Sequence, residues 1–358
     1  MLGNHSCPNG SRKFAQPMVA DGDKPLVARL LSASYAHHAR CLMRALILIA
    51  SPIALLQAQA AERVGPAGHI VVQTDDVTRF FKVLDANHGR PSADDLQHGY
   101  LDAGTDALRS FTDSRIGSME RLARAIQDKP ALFAKARTCA TALPSIRTRV
   151  AAAVDQLGAL LPSARFPPVT VLVGRGNSGG VTTEAGVVIG LEALCNADWM
   201  QADASDRFVH LIAHEYVHVQ QPGARVDVEQ PNLLYQTLLE GGAEYVAERI
   251  SGQPANAHLQ RWAQGRECAL ERAFLQDSMG TDLSRWLYNG PGDDTRRGDL
   301  GYWIGYRIAH AYVARAPDTP NAIAELLDVQ PGNAAALLEA SGWQPACGAG
   351  ESTQTHMP

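Results

Sequence analysis

The pentapeptide His214-Glu215-Tyr216-Val217-His218 constrains this chain more than any other sequence feature. It lies in a stretch with apolar residues at helical spacing, which predicts a largely buried helix over residues 206–220. On a helix, residues four apart lie on one face, so both imidazoles can reach one ion while Glu215 projects beside it. Two histidines and a carboxylate removed from water need a shared cation or hydrogen bonds. The pattern therefore predicts a metal site.

One known arrangement of the third ligand is excluded by the residues after the pentapeptide. A metzincin would place Gly at position 221 and His at position 224. This chain has Gln221 and Ala224. The third ligand must therefore come from elsewhere.

Glu240 is the strongest candidate for that third ligand. It follows His218 with 21 residues between them, inside a stretch that predicts a second helix over residues 232–250. Asp227 and Glu229 on the connecting loop are alternatives, but a helix face positions a ligand more reliably than a loop. The sequence favours Glu240.

Glu244 lies one turn after Glu240 on the same predicted helix face. From there it can hydrogen-bond the free ring nitrogen of a metal-binding histidine and fix its tautomer. The alternative is an ordinary solvated helix glutamate.

These two segments resemble a known class of enzymes. HEYVH followed by Glu240-Gly241-Gly242-Ala243-Glu244 is similar to the gluzincin metallopeptidases, which have HExxH on one helix and a glutamate ligand on the next. The likeness is closest to uncharacterised bacterial "predicted Zn-dependent protease" families. It implies His214, His218 and Glu240 as zinc ligands and Glu215 as the general base. Glu244 stands where thermolysin-like members have an aspartate.

The resemblance also implies an oxyanion-stabilising tyrosine downstream of the glutamate ligand. Tyr302 and Tyr306 share one face of a helix predicted over residues 300–314, and either is a candidate. The alternative is that both are packing aromatics.

The chain predicts an α+β fold that is predominantly helical. Runs at residues 169–173 and 186–190 predict two strands on either side of a glycine-rich loop, and so a small sheet before the active-site helix. The loop lacks the Walker lysine and the dinucleotide-binding spacing, which favours turn chemistry over nucleotide binding. A junction near Arg165 divides a helical N-terminal region, 61–165, from a zincin-like metallopeptidase domain, 166–358. The resemblance implies that a sheet edge beside the cleft pairs with extended peptides.

The N-terminal segment predicts export. Residues 43–60 contain an arginine, an apolar core and the small residues of a cleavage site, as in a secretory signal peptide. The preceding residues 1–42 are predicted to be a disordered, non-native leader. The expected compartment is the periplasm or the exterior, with no stable membrane anchor after cleavage.

Cleavage before Ala61 would leave 26 basic and 35 acidic residues, a formal charge of −9. No basic stretch interleaved with aromatic residues stands out, which argues against nucleic acid as a partner. Four cysteines would remain, Cys139, Cys195, Cys268 and Cys347. They permit two disulfides in any of three pairings.

The sequence as a whole predicts a zinc-dependent peptidase with Zn²⁺ as its cofactor and a peptide or protein as its substrate. In this interpretation Glu215 takes a proton from a metal-activated water. Two alternatives remain open: an exported, non-catalytic metal-containing binding protein, and a zinc hydrolase of a non-peptide amide or ester. The intact Glu215 favours an enzyme, because a structural zinc site needs no base.

Overall fold

The computed structural model describes residues 70–183, 186–222, 228 and 230–347. In these residues the protein is predominantly helical, with one small mixed sheet, which agrees with the expected α+β class. The predicted leader 1–42 and signal segment 43–60 lie outside the described residues. So do the alternative ligands Asp227 and Glu229.

The sheet has four short strands in the order β1-β2-β4-β3. They are β1 Val72–Gln73, β2 Val169–Leu172, β3 Gly180–Thr183 and β4 Gly186–Gly190. β1 and β4 run parallel to β2 on either side of it, and β3 pairs antiparallel with β4. β2 and β4 were expected, but β3 was not, because its first residue ends a glycine-rich stretch that predicts only a loop. β3 is an edge strand, and this position matters for the site.

Fourteen α-helices occur in the described residues. They are α1 Asp75–Ala86, α2 Ala93–Leu96, α3 Asp106–Phe111, α4 Met119–Asp128, α5 Pro130–Cys139, α6 Leu143–Leu160, α7 Leu191–Cys195, α8 Ala204–His218, α9 Leu233–Ser251, α10 Ala257–Ala263, α11 Glu267–Asp277, α12 Leu300–Arg315, α13 Thr319–Leu327 and α14 Ala334–Ser341. Two π-helical turns, Gln97–Leu101 and Thr112–Ile116, and a 3-10 turn, Ala140–Ala142, complete the set.

The two helices that carry the predicted ligands have well-defined ends. Asp203 caps α8 by accepting a hydrogen bond from the backbone N–H of Asp206 at 2.9 Å, and Asn232 caps α9 by accepting from the N–H of Tyr235 at 2.8 Å. α9 ends at Gly252, whose φ of 68° suits glycine. These caps explain why both helices begin and end within two residues of the predicted bounds.

Helix α9 crosses α12 at very short distance through two glycines. A Cβ atom on Gly241 would lie 2.0 Å from the carbonyl carbon of Gly305, and one on Gly305 would lie 2.0 Å from the carbonyl oxygen of Thr237. Only glycine allows this approach. The crossing brings Tyr302, on α12, to the helix that carries Glu240.

Most of the buried apolar side chains form one core that runs from α1 through the sheet to α8, α9 and α12. This core spans the junction predicted near Arg165, and β1 from the N-terminal region pairs with β2 beyond it. A second core lies between α9, α12 and the segments that follow α9. No described helix is both long and apolar enough to cross a membrane.

Two disulfides settle the pairing that the sequence left open. Cys139 at the end of α5 is bonded to Cys195 at the end of α7, and Cys268 in α11 is bonded to Cys347 near the C-terminus. Each bond joins segments far apart in the chain, so each limits the freedom of the unfolded protein.

Candidate metal centre

The three predicted ligands meet at one point between α8 and α9. Nε2 of His214 lies 3.0 Å from Nε2 of His218 and 3.4 Å from Oε2 of Glu240, and Nε2 of His218 lies 3.2 Å from the same oxygen. His214 and Glu240 are each only 5% exposed. The structure therefore brings together all three side chains that the sequence singled out, and the cluster could hold a metal ion.

The opposite ring nitrogen of each histidine contacts an acceptor. Nδ1 of His214 lies 3.0 Å from Oε1 of Glu244. The two atoms are close enough for an ionic contact, but their geometry is not that of a hydrogen bond. Nδ1 of His218 lies 2.6 Å from Oε1 of Gln221. The Gln221 amide is oriented by its own Nε2–H, which donates to the Leu239 carbonyl at 2.7 Å. Both acceptors favour the proton on Nδ1, which leaves the Nε2 lone pairs directed at Glu240.

A hydrogen bond also orients the carboxylate of Glu240. Its Oε1, the oxygen that does not face the histidines, accepts a hydrogen bond from the Tyr288 hydroxyl at 2.5 Å. Gln236, one turn earlier on α9, donates to that hydroxyl at 2.6 Å. Oε2 is thus left to face the two histidines.

Two imidazole lone pairs and a carboxylate oxygen therefore converge in a buried place. Three acceptors cannot satisfy one another, so the cluster needs either a metal ion or protons among them. A tetrahedral zinc ion with ligands at about 2.0–2.1 Å separates its ligand atoms by roughly 3.3 Å. The observed separations bracket that value, and the residues present fit the ion.

Protons can neutralise the cluster when no metal is bound. Burial opposes the charged form of His214, but Glu244 and Glu240 outweigh it and raise its pKa well above the usual value. The pKa of His218 is raised in the same way, chiefly by Glu240 against burial. Burial also opposes the charged form of Glu240, yet the two histidines hold its pKa below the usual range. Without a metal, protons supply the positive charge that the carboxylates require.

Glu244 contacts two histidines rather than one. Besides His214, its Oε2 accepts from Nε2 of His210 at 2.9 Å, one turn earlier on α8. This placement agrees with the predicted role of orienting a ligand and argues against a solvated glutamate, since Glu244 is 5% exposed.

Glu215 lies against strand β3. Thr182 donates its hydroxyl to Oε2 of Glu215 at 2.9 Å. A Cβ atom on Gly180 would lie 3.1 Å from Cγ and Oε1 of Glu215, so the strand lies directly against this carboxylate. Glu215 is not among the clustered ligand atoms, but it is close enough to raise the pKa of His218. This position suits a base beside a metal.

The two candidate tyrosines occupy different places. The Tyr302 ring lies 6.1 Å from the His214 ring, and no described residue accepts a hydrogen bond from its hydroxyl. Burial raises the pKa of Tyr302 well above the usual value, so its hydroxyl keeps its proton. Tyr306 instead donates to Oε1 of Glu248 at 2.9 Å, two turns beyond Glu240. Tyr302 is therefore the better supported of the two predicted residues.

Several residues around the site were not identified from the sequence. Tyr288 lies 48 positions after the glutamate that it contacts. Thr182 lies on the strand that the sequence did not predict. Tyr288 immediately precedes a glycine-containing segment, residues 289–298, that has no helical or strand periodicity. No local spacing links these side chains to the pentapeptide.

Comparison with known proteins gives no match: no protein-family model, no curated protein and no solved structure matches this chain. The assignment of the site therefore depends on its own geometry and chemistry.

Proposed function

We propose that this protein is a zinc-dependent peptidase of the gluzincin type, with a zincin-like domain around α8 and α9. The observation that carries the proposal is the convergence of His214, His218 and Glu240 on one point, with Glu215 held beside it. Two imidazoles and one carboxylate are a donor set that zinc accepts in hydrolases, where one coordination position stays open.

When bound, a zinc ion would acidify a water molecule and polarise a substrate carbonyl. Glu215 makes no contact with a described histidine, unlike Glu240 and Glu244, which suits a general base that takes and returns a proton. Thr182 limits the rotation of that carboxylate by its hydrogen bond. Tyr302 offers a protonated, unengaged hydroxyl to the developing oxyanion.

The edge of the sheet supports a peptide as the substrate. Among the described residues β3 pairs with β4 alone, and Gly180 and Thr182 of β3 lie against Glu215. An extended peptide that adds to this edge would pass the general base with its carbonyl groups in register. A substrate without repeating amide groups would not use this edge.

The two disulfides support export. Such bonds form and persist in oxidising compartments and are rare in the cytosol. We therefore place the protein in the periplasm or outside the cell, as the N-terminal segment predicts.

The proposal is tested on the purified full chain by metal analysis and a peptide-library cleavage assay, with Glu215→Gln and the exposed Glu339→Gln as variants. We expect one zinc per chain in all three proteins and cleavage by the parent and Glu339→Gln. The amide oxygen of a glutamine would still accept the Thr182 hydrogen bond. Glu215→Gln should therefore keep its zinc and lose about 10³-fold in kcat.

Two results would count against the proposal. A protein without stoichiometric zinc would remove the metal centre. Zinc without cleavage of any peptide would favour the non-catalytic binding protein, unless ester or non-peptide amide probes are hydrolysed in a Glu215-dependent way.

A further inference from the structure

Arg115 lies on a turn that is hydrogen-bonded to the loop before β3, the strand that lies against Glu215. Arg115 belongs to the π-helical turn Thr112–Ile116, which ends at Gly117 with a φ of 82°. Its Nε is buried and has no hydrogen-bond partner, and no described residue forms an ion pair with the side chain. Burying a guanidinium nitrogen unpaired is unfavourable, so a partner absent from the free protein is the simplest explanation.

The backbone of Arg115 is hydrogen-bonded to the loop that precedes strand β3. Its carbonyl accepts hydrogen bonds from Nε of Arg175 at 3.1 Å and from Nδ2 of Asn177 at 3.0 Å. Three residues after Asn177 the chain reaches Gly180, which lies against Glu215. Burial lowers the pKa of Arg115, and the attraction of Glu215 opposes that change. The two side chains therefore interact across the site, yet they form no ion pair.

The same loop borders a cavity and carries further positive charge. A cavity of about 470 Å³ is lined by Gly176 and Asn177 of the loop, with Lys129, Lys135 and Trp199 among its other walls. Lys135 is paired with Asp198 at 2.5 Å, and Asp128 also lines the cavity. Lys129 forms no ion pair with a described residue.

Arg175 adds to this charge. Burial and the nearby Arg121 both lower its pKa, so the positive groups here repel one another. This concentration occurs in a chain whose formal charge is −5. The loop also contacts a carboxylate, since Glu192 accepts hydrogen bonds from the Gly174 and Gly176 N–H groups, but neither Lys129 nor Arg175 forms an ion pair with a described residue.

We propose that Arg115 binds a carboxylate of the substrate close to the bond that is cleaved. This proposal rests on the proposed peptidase function and gives the substrate class: peptides with either a C-terminal carboxylate or an aspartate or glutamate side chain near that bond. The planar guanidinium matches a carboxylate with two parallel hydrogen bonds, which an ammonium group cannot reproduce. The buried Nε of Arg115 has no hydrogen-bond partner in the described residues and is available to such a group.

The test uses random hexapeptides made in two forms, with a free C-terminal carboxylate and with a C-terminal amide. Cleavage by the zinc-loaded full chain is followed by mass spectrometry, and kcat and KM are measured on the best peptide in both forms. Retention of the same peptides by the immobilised protein gives a readout that does not need catalysis. The variants are Arg115→Gln, Arg115→Lys and, as a control for lost charge, the exposed Arg147→Gln on α6.

We expect the parent to prefer the carboxylate-bearing peptide about tenfold or more, mainly in KM. Arg115→Gln should lose that preference because it weakens the carboxylate-bearing peptide much more than the carboxylate-free one. Arg115→Lys should keep part of the preference, and Arg147→Gln should keep all of it. If amidation abolishes the preference, the group bound is the C-terminal carboxylate. If peptides with aspartate or glutamate are still preferred after amidation, it is a side chain.

An equal loss on both peptide forms, or a loss in kcat alone, would overturn the proposal and make Arg115 a positioning residue for Glu215. A parent protein without any carboxylate preference would overturn it as well, with the peptidase function intact. If no peptide is cleaved, the proposed function fails, but peptide retention still tests the role of Arg115. Preferential retention of carboxylate-bearing peptides that Arg115→Gln abolishes would support that role. Equal retention of both peptide forms would refute it. Arg115→Lys decides the same question if Arg115→Gln does not fold.

Discussion

Tyr288 donates its hydroxyl to Oε1 of Glu240 at 2.5 Å, on the carboxylate oxygen that does not face the two histidines. Gln236 donates in turn to the Tyr288 hydroxyl. The carboxylate of Glu240 is therefore fixed from a position far along the chain, and its other oxygen is left for the ion.

Tyr288→Phe should weaken zinc binding about tenfold, because the hydrogen bond that orients the Glu240 carboxylate is lost. Competition with a chelator measures the zinc dissociation constant. Tyr312→Phe is the matched control, since Tyr312 makes an equally short hydrogen bond to the exposed Glu325. An equal change in both variants would show that Tyr288 has no specific role at the metal centre.

Glu244→Gln should raise the zinc dissociation constant by about 10- to 100-fold. Glu244 presents one oxygen to His214 and the other to His210, whereas glutamine has one acceptor and must turn its NH₂ group toward one of the rings. The same chelator competition measures the change, with Glu339→Gln as the control. An unchanged zinc affinity would leave Glu244 with a packing role only.

Tyr302→Phe should lower kcat about 10²-fold with little change in KM, since its hydroxyl is protonated and unengaged beside His214. Tyr306→Phe should leave kcat within a few-fold and lower the free energy of unfolding by about 1 kcal/mol, through loss of its hydrogen bond to Glu248. Steady-state kinetics and urea unfolding of the two variants separate these effects. A larger kcat loss in Tyr306→Phe would reverse the assignment.

Asp299 should make the stability of the metal-free protein fall as the pH rises. Burial raises the pKa of this carboxyl from 3.8 to about 7, and the negative charge of Glu240 raises it further. Backbone hydrogen bonds, such as the one from the Asn289 N–H, oppose this change. A group whose pKa is higher in the folded state stabilises the fold fully below its unfolded pKa and loses that contribution as the pH rises through the folded pKa.

From pH 5 to 8 the free energy of unfolding should therefore drop by up to about 3 kcal/mol relative to Asp299→Asn. Asparagine is a suitable replacement, because it can accept the Asn289 hydrogen bond and tolerates the φ of 58° at this position. Urea unfolding of both proteins at several pH values measures the difference. A difference that stays constant with pH would show that Asp299 does not titrate in this range.

Much of the metal centre could be predicted from the sequence because its spacing is local. The four-residue interval between His214 and His218 determines that both lie on one helix face wherever that helix packs, and apolar periodicity with the caps at Asp203 and Asn232 defines the two helices. Glu240 could be predicted in the same way, because it lies within a second stretch with helical periodicity, and a helix face positions a ligand reliably. The preference for Tyr302 over Tyr306 was not available, because both lie on the same face of one helix.

Only the tertiary structure determined the contacts between segments that are far apart in the sequence. Tyr288 contacts Glu240, Thr182 contacts Glu215 and Asn177 contacts the Arg115 carbonyl because the chain is folded around a shared core, not because of their distance in sequence. The pairing of the four cysteines and the edge position of β3 belong to the same kind of information. Sequence alone determined which side chains could bind an ion, since helix geometry is local. The surroundings that orient them and select a substrate arise from long-range packing.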